Sequence, residues 1–555
     1  MILEYKLDYR SSSLVYERIF LRTVEALGLS AKMMREGFVL KLYVETESTE
    51  ALETFATVFA EALPHSIFLY HTEAKVIAQM PEGVSMQLPE TKLPLPFCPQ
   101  CAKEVTDPEH KNFYNLFTSC EVCGYGTQGE DRNYRDEIQQ AVMAISGGSH
   151  VLVQTHYGKY TVGIPSKACS DFSFDLLSYD LATVLKYTHV EEHELSALAS
   201  FEKPLLRLKT RAEFANDFKI EDKALARFKL PDDMVLYLLM EELHHLGIAL
   251  LFVTQEDIPS QERCTIVTAT QGWLPMEVVA SPTDSAIVSG DKGLPVFSTS
   301  EESSAPLSAF YSVIKEHTLD DENIIGINLS KTAPNSVLVH GEKYGTIEYL
   351  SLNFRFDCMA SIFKQIIDSD ENGGKIVQNY KKAFPEHFER ITHIVFEDQQ
   401  FNIYRLWGVV AIVLELTDSE DPAVAAAVLE KNTMLFLGTK GPRIDYKLYN
   451  HGGKVTLDPL MTLRTAMSFR LAGVDPLTLS YGVMESFCEF LANEMDQVKQ
   501  SMDTTAIAVS GSMLGNKHLF SKISQEISIN HKVYFNNELP VDGRNLLYGG
   551  ISLEQ

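Results

Sequence analysis

The residues best suited to chemistry are four cysteines in two pairs: Cys98-Pro99-Gln100-Cys101, eighteen intervening residues, then Cys120-Glu121-Val122-Cys123-Gly124. A C-x-x-C pair places two thiolates on one tight turn, and two such pairs supply four soft sulfur ligands. Tetrahedral Zn²⁺ takes that set, with Zn–S near ~2.3 Å, and closes the loop between the pairs. Four sulfurs leave no open position for substrate, so the spacing predicts a structural ion. Gly124 suits the turn after the last ligand, where a positive φ is often needed. The competing readings are four unrelated buried thiols or a pair of disulfides. Zinc is preferred because this spacing is one of those that read as metal sites.

A second candidate lies near the C-terminus. Thr505-Ala506-Ile507-Ala508-Val509-Ser510-Gly511 reads as a strand running into a glycine turn and then a helix. That geometry offers backbone N–H groups to a phosphate. The Ser510-Gly511-Ser512 triplet alone is more often an ordinary β–α turn. No complete P-loop, H-E-x-x-H or nucleophile elbow occurs elsewhere.

Several elements must position these residues. Residues 1–90 read as β-α-β-β-α-β: a helix ending at Gly28, a strand over Phe38–Val44, a helix from Glu50 to Leu63 stopped by Pro64, and a further extended piece from Ser66. This is the split β-α-β pattern of a small ferredoxin-like domain. Thr91–Pro96 reads as a linker. From Arg132 the pattern is mixed α/β, with a helix over Asp136–Ile145, a strand over Val151–Thr155, a helix over Val235–Leu246 and an apolar strand over Ile248–Val253. Serines, prolines and glycines between about Ser281 and Pro306 mark the next boundary. From about Leu319 the last part opens with a meander of strands, Ile324–Leu329, Ser336–His340 and Gly345–Ser351. Helices follow around Ile362–Ile367 and Ile376–Phe384, and a long one over Leu479–Val498.

Composition bounds the rest. A chain of 555 residues implies roughly three or four domains. No apolar run is long enough for a signal peptide or a membrane span. The other four cysteines, Cys169, Cys264, Cys358 and Cys488, have no paired spacing, which fits a reducing compartment and a cytoplasmic location. Subtracting 75 acidic from 48 basic residues gives −27, and no basic run stands out, which argues against nucleic acid as the main partner.

In its motifs the chain resembles the HypF carbamoyltransferase family of NiFe-hydrogenase maturation. Phe97-Cys98-Pro99, Asp107-Pro108 and Phe117-Thr118-Ser119-Cys120 match the family's zinc finger. Lys203-Pro204-Leu205-Leu206-Arg207-Leu208 resembles the R-P-I-V-L-L strand of its YrdC-like domain, and Lys229-Leu230-Pro231 and Leu243-His244-His245 follow in the family's order. Ile325-Gly326-Ile327-Asn328-Leu329-Ser330-Lys331-Thr332 resembles G-A-E-L-K-N-T, the entry to its actin-like domain. Ser510-Gly511-Ser512-Met513-Leu514-Gly515-Asn516 resembles S-G-G-x-x-x-N, and Leu539-Pro540-Val541-Asp542-Gly543 resembles P-x-N-D-G. The resemblance implies an α/β and α+β multidomain chain. Its parts would be a ferredoxin-like, acylphosphatase-like domain over 1–90, a zinc finger over 91–130, a YrdC-like α/β domain over 131–310 and an actin-like (ASKHA) domain over 311–555. It implies a zinc ion on Cys98, Cys101, Cys120 and Cys123, and ATP near Gly511, Ser512, Asn516 and Asp542. The implied partners are hydrogenase-maturation proteins, a HypE-like carbamoyl acceptor among them.

The chain also departs from the family. It has one zinc finger where the family usually has two. The acylphosphatase-like signature G-x-V-Q-G-V-G-F-R is replaced by Asp8-Tyr9-Arg10-Ser11-Ser12-Ser13-Leu14-Val15-Tyr16-Glu17-Arg18, and the later asparagine is missing near Met34–Gly37. Arg18 or Arg22 remains as an anion ligand, although each reads first as an ordinary helix-surface residue. The T-S-G-N loop is Thr254-Gln255-Glu256-Asp257, whose added carboxylates repel phosphates. The H-H-A-H metal motif falls at Asn402-Ile403-Tyr404-Arg405-Leu406, without histidine, and the D-G-T-G loop at Leu437-Gly438-Thr439-Lys440-Gly441, without its aspartate. Two functions follow as expectations: a catalytically reduced relative acting through partner binding, or an active transferase passing a carbamoyl group from carbamoyl phosphate, via an adenylate, to a partner cysteine. The first is favoured because three separate sites have lost residues with chemical roles.

Overall fold

The computed structural model describes the whole chain except residues 89–95, 121, 127–128, 156–157, 168–172, 221–222, 257, 259–273, 292–303, 344, 452–453 and 555. The expected linker (Pro96 apart), Cys169, Cys264, Asp257 and part of the expected boundary at 281–306 lie outside the described residues. The chain forms two compact units, one made of residues 1–278 and 290–294, the other of 279–289 and 295–555.

The first unit begins with β1 (Ile2–Tyr9), α1 (Val15–Leu27), β2 (Ser30–Glu36), β3 (Val39–Glu45), α2 (Thr49–Ala62) and β4 (Leu69–Ile77). The strands form an antiparallel sheet in the order β2-β3-β1-β4. Apolar residues at helical spacing in α1 (Val15, Ile19, Phe20, Val24) and α2 (Leu52, Phe55, Phe59) are buried, as the 3.6-residue period requires. Phe20 meets Phe55 and Phe59 edge-on. Ser48 caps α2 by accepting from the Ala51 N–H at 3.2 Å, and Pro64 follows its end.

The same unit holds a six-stranded sheet of β5 (Val151–Thr155), β6 (Gly158–Gly163), β7 (Asp175–Ser178), β8 (Leu206–Lys209), β9 (Leu225–Lys229) and β10 (Leu250–Thr254), in the order β5-β6-β10-β7-β9-β8. The apolar run of β10 lies inside the sheet, antiparallel to β6 and β7, and every residue in it is buried. The helix Met234–His245 starts at Asp233, whose carboxylate accepts from the Val235 N–H at 2.8 Å. It ends at the histidine pair, with the His244 ring stacked on Tyr179, where cations are favoured. The hairpin β11 (Leu274–Ala280) and β12 (Ser285–Asp291) follows in sequence, and its residues 279–289 count with the second unit.

The second unit is built on β13 (Ile324–Asn328), β14 (Ser336–Gly341), β15 (Gly345–Ser351), β18 (Leu448–His451), β19 (Lys454–Leu457), β20 (Ala506–Ser510) and β21 (Lys532–Tyr534), after the short pair β16 (Phe354–Arg355) and β17 (Gln400–Phe401) is set apart. The order is β18-β19-β15-β14-β13-β20-β21, with β13, β20 and β21 mutually parallel. The expected meander is β13–β15, but a helix, Ala305–His317, precedes it. Its core face, Phe310, Val313 and Ile314, is fully buried; the Ser- and Pro-rich start hid the pattern. The long helix Pro476–Met502 starts at Asp475, which accepts from the Thr478 N–H.

Candidate metal centre and strand-end crevice

The first cysteine pair begins a helix. Cys98 is extended and Pro99 opens α3 (Pro99–Thr106), so Cys101 stands in its first turn. The second pair forms a tight turn in which the Gly124 N–H donates to the Cys120 carbonyl at 3.0 Å and the Cys120 N–H to the Tyr125 carbonyl at 2.8 Å. Gly124 has φ +81°, as the turn after the last ligand was expected to need. All four thiols are buried, and their sulfurs lie within 4.8 Å of one another. Sγ–Sγ distances are 3.7 Å for Cys98–Cys101, 3.9 Å for Cys98–Cys120 and 3.7 Å for Cys101–Cys123. A tetrahedron with metal–sulfur bonds of about 2.3 Å has edges of about 3.8 Å. A disulfide needs sulfurs at about 2.05 Å, so the disulfide reading fails. The donor set and its spacing suit zinc.

The module belongs to the core of its unit. Phe97, Val105, Tyr114, Leu116, Phe117 and Tyr125 share one apolar cluster with the cysteines and the helix Met234–His245. The Tyr114 hydroxyl donates to Glu242 on that helix. Arg18 is not an ordinary surface residue: a Cβ added at Gly124 would lie 3.0 Å from its Nε, so it packs on the cysteine turn. Arg22 pairs with Glu25 at 2.9 Å. In the loop after β1, Arg10 pairs with Asp8 at 3.1 Å and covers the Tyr70 ring. In the six-stranded sheet, the Thr254 hydroxyl and the Glu256 carboxylate both bind the Ser173 backbone, at 2.7 and 3.0 Å.

The second site lies where β13 and β20 end side by side, Asn328 level with Ser510. Ligands favour such a crevice beyond the carboxyl ends of parallel strands. Gly511 has φ +111°, and an added Cβ would stand 2.3 Å from the Leu329 carbonyl carbon, so only glycine fits. Its N–H donates to the Val541 carbonyl at 2.8 Å. The Ser512 hydroxyl accepts from the Lys331 N–H at 3.0 Å, and the Ser330 hydroxyl donates to Asp542 at 3.3 Å. Thus Gly511, Ser512 and Asp542 meet around Ser330 and Lys331. Asn516 lies deeper: its carbonyl oxygen caps the helix Lys517–Ser528, and its amide donates to the Thr433 hydroxyl at 2.6 Å.

Three more residues shape this crevice. Glu430 accepts from Lys331 Nζ at 2.7 Å and from the Tyr404 hydroxyl at 3.1 Å. It is the one carboxylate in the otherwise largely apolar segment Pro422-Ala423-Val424-Ala425-Ala426-Ala427-Val428-Leu429-Glu430, which was the signal available. Asn402 caps the helix Ile403–Val413, and its amide donates to the carbonyls of Ser330 and Ala333 at 3.1 and 2.9 Å. Glu316 accepts from the Asn536 amide and from the N–H groups of Asn537, Glu538 and Leu539, at 2.8 to 3.2 Å. It thereby holds the segment that carries Asp542. Burial pushes its carboxyl up to about 7, against the pull of those donors.

A mixed α/β multidomain chain with a buried four-cysteine module and a crevice at parallel strand ends defines a fold class, and known structures share it. The structure of full-length HypF in the phosphate- and nucleotide-bound form matches with a TM-score of 0.63 and 13% identity, over 99% of this chain and 98% of that one. HypF of T. kodakarensis matches with a TM-score of 0.62 and 13% identity, over 100% and 99%. This chain therefore has the HypF fold along its whole length, as its motifs led us to expect. In sequence it is 25% identical over 405 residues to Protein HydE of Wolinella succinogenes, covering 71% of this chain and 72% of that protein. No family model matches it. Among the described residues, no helix is long and apolar enough to cross a membrane.

Proposed function

We propose that this chain is a HypF-like hydrogenase-maturation factor that works by binding maturation proteins and has reduced catalytic capacity. The fold of HypF and the relation to HydE support the process. The observation that carries the second half is the state of the strand-end crevice, where Lys331, Glu430 and Tyr404 engage one another and the Asn402 amide is used up on backbone carbonyls. The Asn402–Leu406 segment thus serves as a helix start, and no pair of metal-binding side chains stands there. A zinc ion on Cys98, Cys101, Cys120 and Cys123 orders the core around them. Ser512 and Asp542, set by the turn at Gly511 and by Asn516 beneath it, form a weak ATP site without turnover. The boundaries near residues 90, 130 and 310 separate acylphosphatase-like, zinc-finger, YrdC-like and actin-like parts, and the chain works in the cytoplasm beside a HypE-like partner.

Deletion of the gene followed by complementation tests this. NiFe-hydrogenase activity should be lost on deletion and restored by the wild type, by Lys331→Ala and by Asp542→Asn. Failure of the two variants, if they fold and accumulate normally, would favour the working carbamoyltransferase instead. Unchanged hydrogenase activity on deletion would remove the process itself.

A further inference from the structure

The four-stranded sheet treats its two edges differently. Along β2 the chain returns to cover the edge: the Met86 N–H donates to the Met33 carbonyl at 2.9 Å, and the Met33 N–H donates to the Ser85 hydroxyl at 3.1 Å. Along β4, among the described residues, no strand pairs with the outer side. His71 to Val76 are all exposed, and Val76 keeps 63% of its surface in water. An open edge of nine residues presents a row of backbone N–H and C=O groups to any strand that can match it.

The sequence of β4, Leu69-Tyr70-His71-Thr72-Glu73-Ala74-Lys75-Val76-Ile77, is matched by itself. Set antiparallel about Ala74, Glu73 falls opposite Lys75 of a second copy, and Lys75 opposite Glu73 of that copy. Two opposite-charge pairs form by symmetry. They also extend rows already present in the sheet. Lys75 stands opposite Glu4, with Nζ 2.9 Å from the carboxylate, and Glu73 stands opposite Lys6. A second copy would continue these rows as Glu4–Lys75–Glu73 and Lys6–Glu73–Lys75, each neighbour opposite in sign. On the other face Thr72 meets Val76 of the second copy, and Ala74 meets Ala74, which puts small and apolar groups beside the exposed Val76. An edge lysine commonly deters pairing. Here Glu4 already holds the ammonium in the plane of the row.

We propose that this edge is a self-association surface, on which β4 pairs antiparallel with β4 of a second copy in register about Ala74. Cross-strand pairs of opposite charge favour this register, and like charges placed there oppose it.

Sedimentation equilibrium on the full-length, zinc-loaded chain at about 0.15 M salt tests it, because that salt screens distant charges and spares close pairs. The wild type should dimerise at a protein concentration of about 0.1 mM, since a dimer's population depends on protomer concentration. Glu73→Lys and Lys75→Glu should each lower the association constant about tenfold or more, since each variant turns both symmetric pairs into like charges. The double variant should recover most of the loss. General repulsion between chains of charge −27 predicts something else, since Glu73→Lys would then strengthen association. Simple weakening of the sheet predicts another pattern again, because the double variant opposes both Glu4 and Lys6 and should be the worst of the three. A monomeric wild type would overturn the proposal and leave the edge to another protein's strand. A dimer unaffected by the single variants, or a double variant no better than they are, would overturn it too.

Discussion

Replacing Cys98 and Cys120 by serine removes one ligand from each pair and leaves a two-thiolate site. The ion's contribution can be bounded from the loop it closes. Between Cys101 and Cys120 lie eighteen residues, and a cross-link closing a loop of that size stabilises by about 3 kcal/mol in the chain-entropy account. That is a floor, because structural zinc sites bind more strongly and their binding energy is folding energy. In a unit of this size each kcal/mol moves a midpoint by roughly 2–4 °C, so the transition that unfolds the first unit should fall by about 6 °C or more. The wild type should carry one zinc per chain by elemental analysis, and the variant should carry none. A strong chelator should move the wild type toward the variant. Equal zinc in both proteins, or equal midpoints with and without the ion, would refute the reasoning.

Three other outcomes follow from the second unit. Gly511→Val would drive a branched side chain into the Leu329 backbone at φ +111°, and urea unfolding should show a loss of roughly 3 kcal/mol or more; a wild-type midpoint would mean the turn is loosely packed. Glu316 has its carboxyl raised from 4.5 to about 7, so folding favours its protonated form. Its stabilisation is complete below pH 4.5 and is lost as pH rises through 7, in all about 3 kcal/mol. Glu316→Gln should flatten the fall in stability between pH 5 and 8, and an unchanged slope would assign that fall to other groups. Calorimetry with ATP should find a weak, metal-independent site with a Kd on the order of 1 mM; undetectable binding would leave only the scaffold.

The metal module was the most legible part of the chain, because ligand chemistry fixes both residue type and spacing and leaves little to tertiary context. Other elements were legible where apolar residues recur at helical spacing, as in α2, or run almost unbroken, as in the helix Met234–His245 and β20. The helix Ala305–His317 was not, since its start lies among serines and prolines that read as a boundary. The roles of Glu430 and Glu316 were hidden for a different reason. Each acts through partners far away in sequence, Lys331 and Tyr404 for one and Asn536–Leu539 for the other, and no local pattern encodes such a meeting. Arg18 shows the same limit, for its helical position gave no sign that the cysteine turn would pack on it.

The central claim is that a HypF fold is kept here while its chemistry is reduced. Phosphate release from carbamoyl phosphate by the zinc-loaded, full-length chain tests that most directly. The loop after β1, Arg10 to Leu14, holds no glycine, and its arginine is paired with Asp8, so release should match the rate without protein. Saturable release well above that rate, abolished by Arg10→Ala in a variant that still folds, would contradict the claim.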